Sequence, residues 1–320
     1  MNTPDVPGSL TARFSTSALP VLGLLASASL AVAAQPSATP LLMFANDLRF
    51  ETLPRVEDTR RQLEAAERAL QRLPTLETNC ATTLGAARFA DLWTEVASAR
   101  LLRGDHAGAA LAYRKVLECR PRDPSAYHAL AVAVAWSGDR AASRELILRG
   151  LELDPTNVHL RMHLAHLAFI DGRWHDAGRQ LDAAIALESD PVRAEYHRIL
   201  WWLAQRRSGA DHPIVTTAAI PSDELIDWPN PILRLLRGEL TEMELLEELR
   251  AGTDQQQRQE RLCEALYYVG QDRLARGEAE TARLYFAAAV NVKVLDFVED
   301  HLAQAELTNY RTTARMQDRN

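Results

Sequence analysis

Cysteine is scarce in this chain: Cys80, Cys119 and Cys263 are the only three in 320 residues. None makes a Cys-x-x-Cys pair or a metal-binding spacing, so the chain encodes no disulfide framework and no zinc module. Lysine is nearly missing, with Lys115 and Lys293 alone, and arginine supplies the rest of 36 positive charges against 43 negative. A net charge of −7 and a pI near 5.8 lack the positive field that drives nucleic-acid binding. Aromatic residues make up 6%, as expected where alanine and leucine fill helix interfaces. There is no glycine-rich phosphate loop, no Gly-x-Ser-x-Gly elbow and no His-Glu-x-x-His pair. Acidic pairs such as Glu247-Glu248 read as solvated helix faces. The chain therefore does not read as an enzyme, and neither a cofactor nor a small-molecule substrate is expected.

Long apolar runs are also missing, with one exception. Residues 18–34 are apolar and small, follow Arg13, and end in Ala31-Val32-Ala33, the small-x-small pattern of a signal-peptidase site. Residues 1–34 are expected to be a cleaved secretory signal, which makes the protein periplasmic. The alternative is an uncleaved membrane anchor. The run, of about 17 residues, is at the bottom of the spanning range, and it contains Pro20, Gly23, Ser27 and Ser29.

What the chain does have is a unit that returns about every 34 residues. Trp93, Ala97, Gly104-Asp105, Ala109, Tyr113 and Pro121 are followed in the same slots by Tyr127, Ala131, Gly138-Asp139, Ser143, Ile147 and Pro155. Ala165, Gly172-Arg173, Ala177 and Leu181 continue the pattern. Small residues let two antiparallel helices approach, the glycine closes the turn between them, and the proline stops the second helix. This is the tetratricopeptide repeat, and it predicts an all-α solenoid of antiparallel helix pairs with extra helices at both ends.

Residues 35–89 are expected to hold an extended segment to about residue 54, then a capping helix over 55–73 with Val56, Leu63, Ala66 and Leu70 on one face. Three repeats occupy 90–191. Residues 192–260 are a degenerate helical region, 261–310 a last repeat with a capping helix, and 311–320 a frayed tail. Cys80 precedes the first repeat's first helix and Cys119 ends its second, so a disulfide and two separate thiols both fit.

The repeat register also assigns a concave wall: His128, Val132 and Trp136 from the second repeat, and His159, Met162, His166, Phe169 and Ile170 from the third. An apolar wall with polar handles suits an amphipathic helix or extended peptide of a partner protein. His159, His163 and His166 share one helix face, a spacing that can also ligate a transition metal. The favoured reading is peptide-groove lining, with no metal; a metal-dependent protein is the alternative.

The C-terminal part carries a resemblance. Trp228, then Leu235-Leu236-Arg237-Gly238 and Glu244-Leu245-Leu246-Glu247-Glu248-Leu249, precede a last repeat from Glu264 to Val290 and the run Asp296-Phe297-Val298-Glu299. This order, over roughly residues 228–307, resembles the NlpI-type lipoproteins of Gram-negative bacteria. The resemblance implies a homodimeric, non-catalytic adaptor of the cell envelope that presents peptidoglycan hydrolases to a processing protease. One feature departs from that family: no cysteine precedes Cys80, so none is placed to carry a lipid anchor. A scaffold subunit of an envelope secretion or polysaccharide-export machine is the other reading within the binding class, because solenoids share architecture across unrelated tasks.

Overall fold

Each repeat is built on a pair of small residues that meet at the crossing of its two helices. In the computed structural model, which describes residues 39–48, 56–72, 80, 83–209, 228–250, 254–294 and 297–317, the first repeat is α3 (Thr83–Leu102) with α4 (His106–Cys119). The second is α5 (Pro124–Trp136) with α6 (Arg140–Leu153), and the third α7 (Val158–Ile170) with α8 (Trp174–Leu187). Ala97 and Ala109, Ala131 and Ser143, Ala165 and Ala177 are all essentially inaccessible to solvent. Ser143 brings a hydroxyl into this apolar crossing and donates it to the Ala131 carbonyl at 2.8 Å, so no buried polar group is left unmade there.

The turns follow from the same sequence. Gly138 has φ +102° and Gly172 φ +68°, conformations that cost a β-carbon-bearing residue strain. The residue after the turn caps the next helix: Asp105 accepts from the Gly108 amide and Asp139 from the Ala142 amide. Asp123 and Asn157 cap α5 and α7 in the same way.

Beyond the third repeat stand α9 (Pro191–Arg207), α10 (Asn230–Leu236) and α11 (Glu242–Arg250). The last repeat pairs α12 (Gln255–Ala275) with α13 (Ala279–Asn291), and α14 (Val298–Gln317) closes the chain. Gly270 and Ala282 take the small-residue slots here, and the space at Gly270 is tight: a β-carbon on it would lie 2.8 Å from Phe286 Cε1. Before the repeats come α1 (Pro40–Asp47) and α2 (Val56–Gln71). The chain is an all-α tetratricopeptide-repeat solenoid with added helices at both ends, and no strand occurs among the described residues.

Three expectations are corrected. Residues 40–47 are helical, not extended: Pro40 occupies the first turn, where its missing N–H costs nothing, and Leu41, Leu42 and Ala45 are buried in the C-terminal core. The degenerate region ends earlier than expected, because α12 already begins at the polar stretch Gln255-Gln256-Gln257, capped by Asp254. The tail does not fray at residue 311. α14 runs to Gln317, with Tyr310 bonded to Glu280 and lying under the Arg283 guanidinium. The signal segment, residues 1–34, lies outside the described residues.

Cys80 and Cys119 are joined as a disulfide, with Cα atoms 5.0 Å apart. It ties the end of α4 to the segment entering α3. Cys263 is a buried thiol facing the Ala289 carbonyl at 3.8 Å.

The residues that carry the C-terminal resemblance converge on one buried polar network. Glu264 accepts from the Trp228 indole and from Tyr196 Oη, the latter at 2.8 Å. Glu299 accepts from Tyr268 Oη at 2.8 Å. Two turns on, Glu306 accepts from Gln271 at 2.9 Å and lies 3.6 Å from the Arg207 guanidinium. These bonds fasten α14 to α12 and α9. Burial, and then the neighbouring Glu299, raise the Glu264 carboxyl to about 8; burial likewise raises Glu299.

Candidate partner-binding wall

The first helices of successive repeats line up side by side, so α5 and α7 present one face to the inside of the solenoid. His128, Val132, Ala135 and Trp136 from α5 and His159, Met162, His163, His166 and Ile170 from α7 line a single cavity of about 590 Å³. The cavity is mixed in character: indole, thioether and aliphatic surface interrupted by imidazoles. Among the described residues no carboxylate lines it, and the one guanidinium among them, Arg140, is paired with Asp171 at 3.2 Å.

Of the eight residues assigned to this wall by register, seven line the cavity. Phe169 does not. It is buried in the core, edge-on to Trp174 with ring centroids 5.0 Å apart. Its place in the last turn of α7 turns it toward α8, whereas the next residue, Ile170, faces the cavity.

The histidines form one run of neighbouring rings across α5, α7 and α9. The His128 ring lies 5.8 Å from that of His159 and 5.6 Å from that of His163. His166 feels His197 of α9 most strongly of its ionisable neighbours. Among the described residues, no group of three or more His, Cys, Asp or Glu side chains is arranged to hold a metal ion. The metal reading of His159, His163 and His166 therefore finds no ligand geometry in the described residues.

Four of these imidazoles, His128, His163, His166 and His197, are held neutral. Burial brings His128 down to about 4, with His159 adding to the shift. Burial, then His197 and His128, bring His166 to about 4. His163 is pushed well below the usual histidine range by burial, then by His128 and His166. His197 is also brought to about 4 by burial, against a weaker pull from Glu188. Nδ1 of His163, Nε2 of His166 and Nδ1 of His197 are buried and make no hydrogen bond to another protein group.

Sequence reasoning missed the opposite side of the cavity. It is α14, which contributes Val298, His301, Leu302, Gln304, Ala305 and Thr308. The His301 ring stacks on the Trp136 indole, and Asn309 Nδ2 donates to the Ile170 carbonyl at 3.1 Å. His106 completes a three-ring cluster, its Nδ1 3.0 Å from the Trp136 carbonyl oxygen. A second cleft, of about 1050 Å³, continues along the C-terminal half of α14 between Trp174, Arg207, Phe286 and Tyr310. The spacing of residues 298, 301, 305 and 308 marks one face of a helix, but nothing local in the sequence says which surface that face meets.

No family model matches the chain. Among solved structures, it is similar to the MamA protein at 16% identity and a TM-score of 0.33, covering 64% of this chain and 91% of that one. It is also similar to yeast Tom70 at 15% identity and a TM-score of 0.45, covering 82% of this chain and 60% of Tom70.

Proposed function

We propose that this chain is a non-enzymatic adaptor of the bacterial cell envelope, exported to the periplasm and acting as a homodimer, that holds partner proteins against the wall formed by α5 and α7. The observation that carries this reading is the alignment of Trp136, Met162 and Ile170 along one cavity, on successive repeats, with Trp136 and Ile170 half-buried. Trp and Met are side chains well suited to anchoring protein partners, Trp by its large contact area and Met by its adaptability. The resemblance over residues 228–307 supports peptidoglycan hydrolases and a processing protease as the partners. Trp228, Glu264 and Glu299, which contribute to that resemblance, form the network that fixes α14 beside the wall.

Co-purification from envelope extracts tests this reading, with wild type compared against Trp136→Ala. Recovery of cell-wall hydrolases or a protease with the wild type, and loss of over tenfold in affinity with the variant, is the expected result; truncating one anchor of a binding wall typically costs about 2 kcal/mol or more. Recovery of secretion or export components instead would replace the hydrolase reading with the machine-scaffold one. Unchanged recovery by a folded Trp136→Ala protein would remove the wall from the function.

A further inference from the structure

The wall is already occupied by a helix from the same chain. We propose that α14 is a built-in stand-in for the partner, so that the site accepts an amphipathic α-helix and opens to it when the α14 contact gives way. This rests on the reading of the wall as protein-binding and deepens it.

The face that α14 turns to the wall has the spacing of a helix laid into a groove. His301, Leu302, Ala305 and Thr308 fall at i, i+1, i+4 and i+7, with Asn309 beside the last. Each part of the face has a counterpart on the wall. The flat ring of His301 lies on the Trp136 indole with centroids 3.6 Å apart. Leu302 and Ala305 line the same cavity as Val132 and Met162. The amide of Asn309 reaches the Ile170 carbonyl, freed from helical bonding at the end of α7.

The two faces of α14 are held differently. Buried carboxylates, Glu299 and Glu306, fix its inner face to α12. Toward the wall the contact is partial: a solvent-open cleft of about 590 Å³ runs between the two. An incompletely filled contact is one that a better-fitting helix can replace.

The partner's chemistry follows from what lines the wall. The neutral imidazoles of His128, His163 and His166 face the cavity with the Asp171-paired Arg140, and no carboxylate among the described residues does. The fitting helix presents an aromatic or imidazole ring, small aliphatic residues one and four positions on, and an amide or hydroxyl two turns on. It carries no lysine or arginine on that face, because no carboxylate among the described lining residues is there to pair with a buried cation.

The probe is a labelled synthetic peptide of residues 298–317, added to the full chain. Wild type, His301→Ala/Asn309→Ala, and that pair combined with Trp136→Ala are compared, with helical content checked for each. The double variant is expected to bind the peptide at least tenfold more tightly than wild type, and the added Trp136→Ala to reverse the gain. Amide exchange on the unmutated chain supplies a second readout: α14 amides should exchange through openings that leave α12 protected, and faster with excess peptide. Equal peptide affinity in wild type and double variant, or exchange of α14 only together with α12, would overturn the proposal and make α14 a permanent wall. In that case recruitment of partners that depends on Trp136 would still stand, which separates the failure of this inference from failure of the adaptor reading.

Discussion

The indole of Trp136 and the imidazole of His301 stack with centroids 3.6 Å apart and planes inclined by 19°, joining the second repeat to the last helix. The contact closes the solenoid across its concave side, far beyond the nearest-neighbour contacts that a repeat array makes by construction. A double-mutant cycle of Trp136→Ala and His301→Ala, read by urea unfolding, should give a coupling energy of about 0.5–1.5 kcal/mol, the usual range for a stacked ring pair. Additive effects would mean that the two rings are neighbours without being energetically joined.

The Cys80–Cys119 disulfide closes a loop with a sequence separation of 39 residues. In the chain-entropy account a loop of that length is worth about 4 kcal/mol to the folded state. Cys119→Ser is therefore expected to lower unfolding stability by about 2–4 kcal/mol and to do so chiefly in the first repeat. Thiol titration with and without denaturant and reductant checks the starting point. Three reactive thiols in the denatured, unreduced protein would contradict the pairing; one is expected.

Much of this architecture is legible in the sequence, for a local reason. The slots at Ala97, Ala131 and Ala165 and the turn glycines are fixed by geometry within one helix pair, so the period alone reports them. The cavity-facing residues of α5 and α7 are legible in the same way, since register sets direction along a helix. Phe169 escapes the rule because at the end of α7 the solenoid core, with Trp174, competes for the same side chain. α1 was hidden by Pro36, Pro40 and Pro54, which argue for an extended segment unless Pro40 is recognised as a first-turn residue. The approach of α14 to Trp136 depends on how the repeats curve together, which no local pattern encodes.

Gly270 tests the small-residue rule in the last repeat. An added β-carbon would meet Phe286 Cε1 at 2.8 Å and Tyr285 Cβ at 3.1 Å, both on the facing helix α13. Alanine is the better helix former by about 1 kcal/mol, while forcing a methyl group into a filled core costs about 1–3 kcal/mol. Gly270→Ala should therefore be neutral to destabilising by about 2 kcal/mol, measured as a change in the urea midpoint. A variant more stable than wild type would show that α12 and α13 have room to part.

The pH profile of stability should carry two opposed slopes, one from the buried histidines of α5, α7 and α9 and one from the buried acids of α12 and α14. His128, His166 and His197 are lowered to about 4, and His163 is lowered as well, so the folded state binds fewer protons than the unfolded one between 6.5 and 4. Their contribution is fully present above about 6.5 and is lost as the pH falls through 4. Glu264 has the opposite sign. Its carboxyl is raised to about 8, so its contribution is fully present below about 4.5 and is lost as the pH rises through 8. Glu299 and Asp300, raised by burial, add to the same side. Each titrating group changes the slope by at most about 1.4 kcal/mol per pH unit. Glu264→Gln keeps an oxygen acceptor for Tyr196 and Trp228 but removes the charge. Urea unfolding of this variant across pH 5 to 9 should fall less steeply toward alkaline pH than wild type, with the acid limb unchanged. His128→Gln should do the reverse, softening the acid limb and leaving the alkaline one. If the Glu264→Gln curve runs parallel to wild type, Glu264 is ionised in the folded protein, and the network around Trp228 and Tyr196 holds a carboxylate instead of an acid.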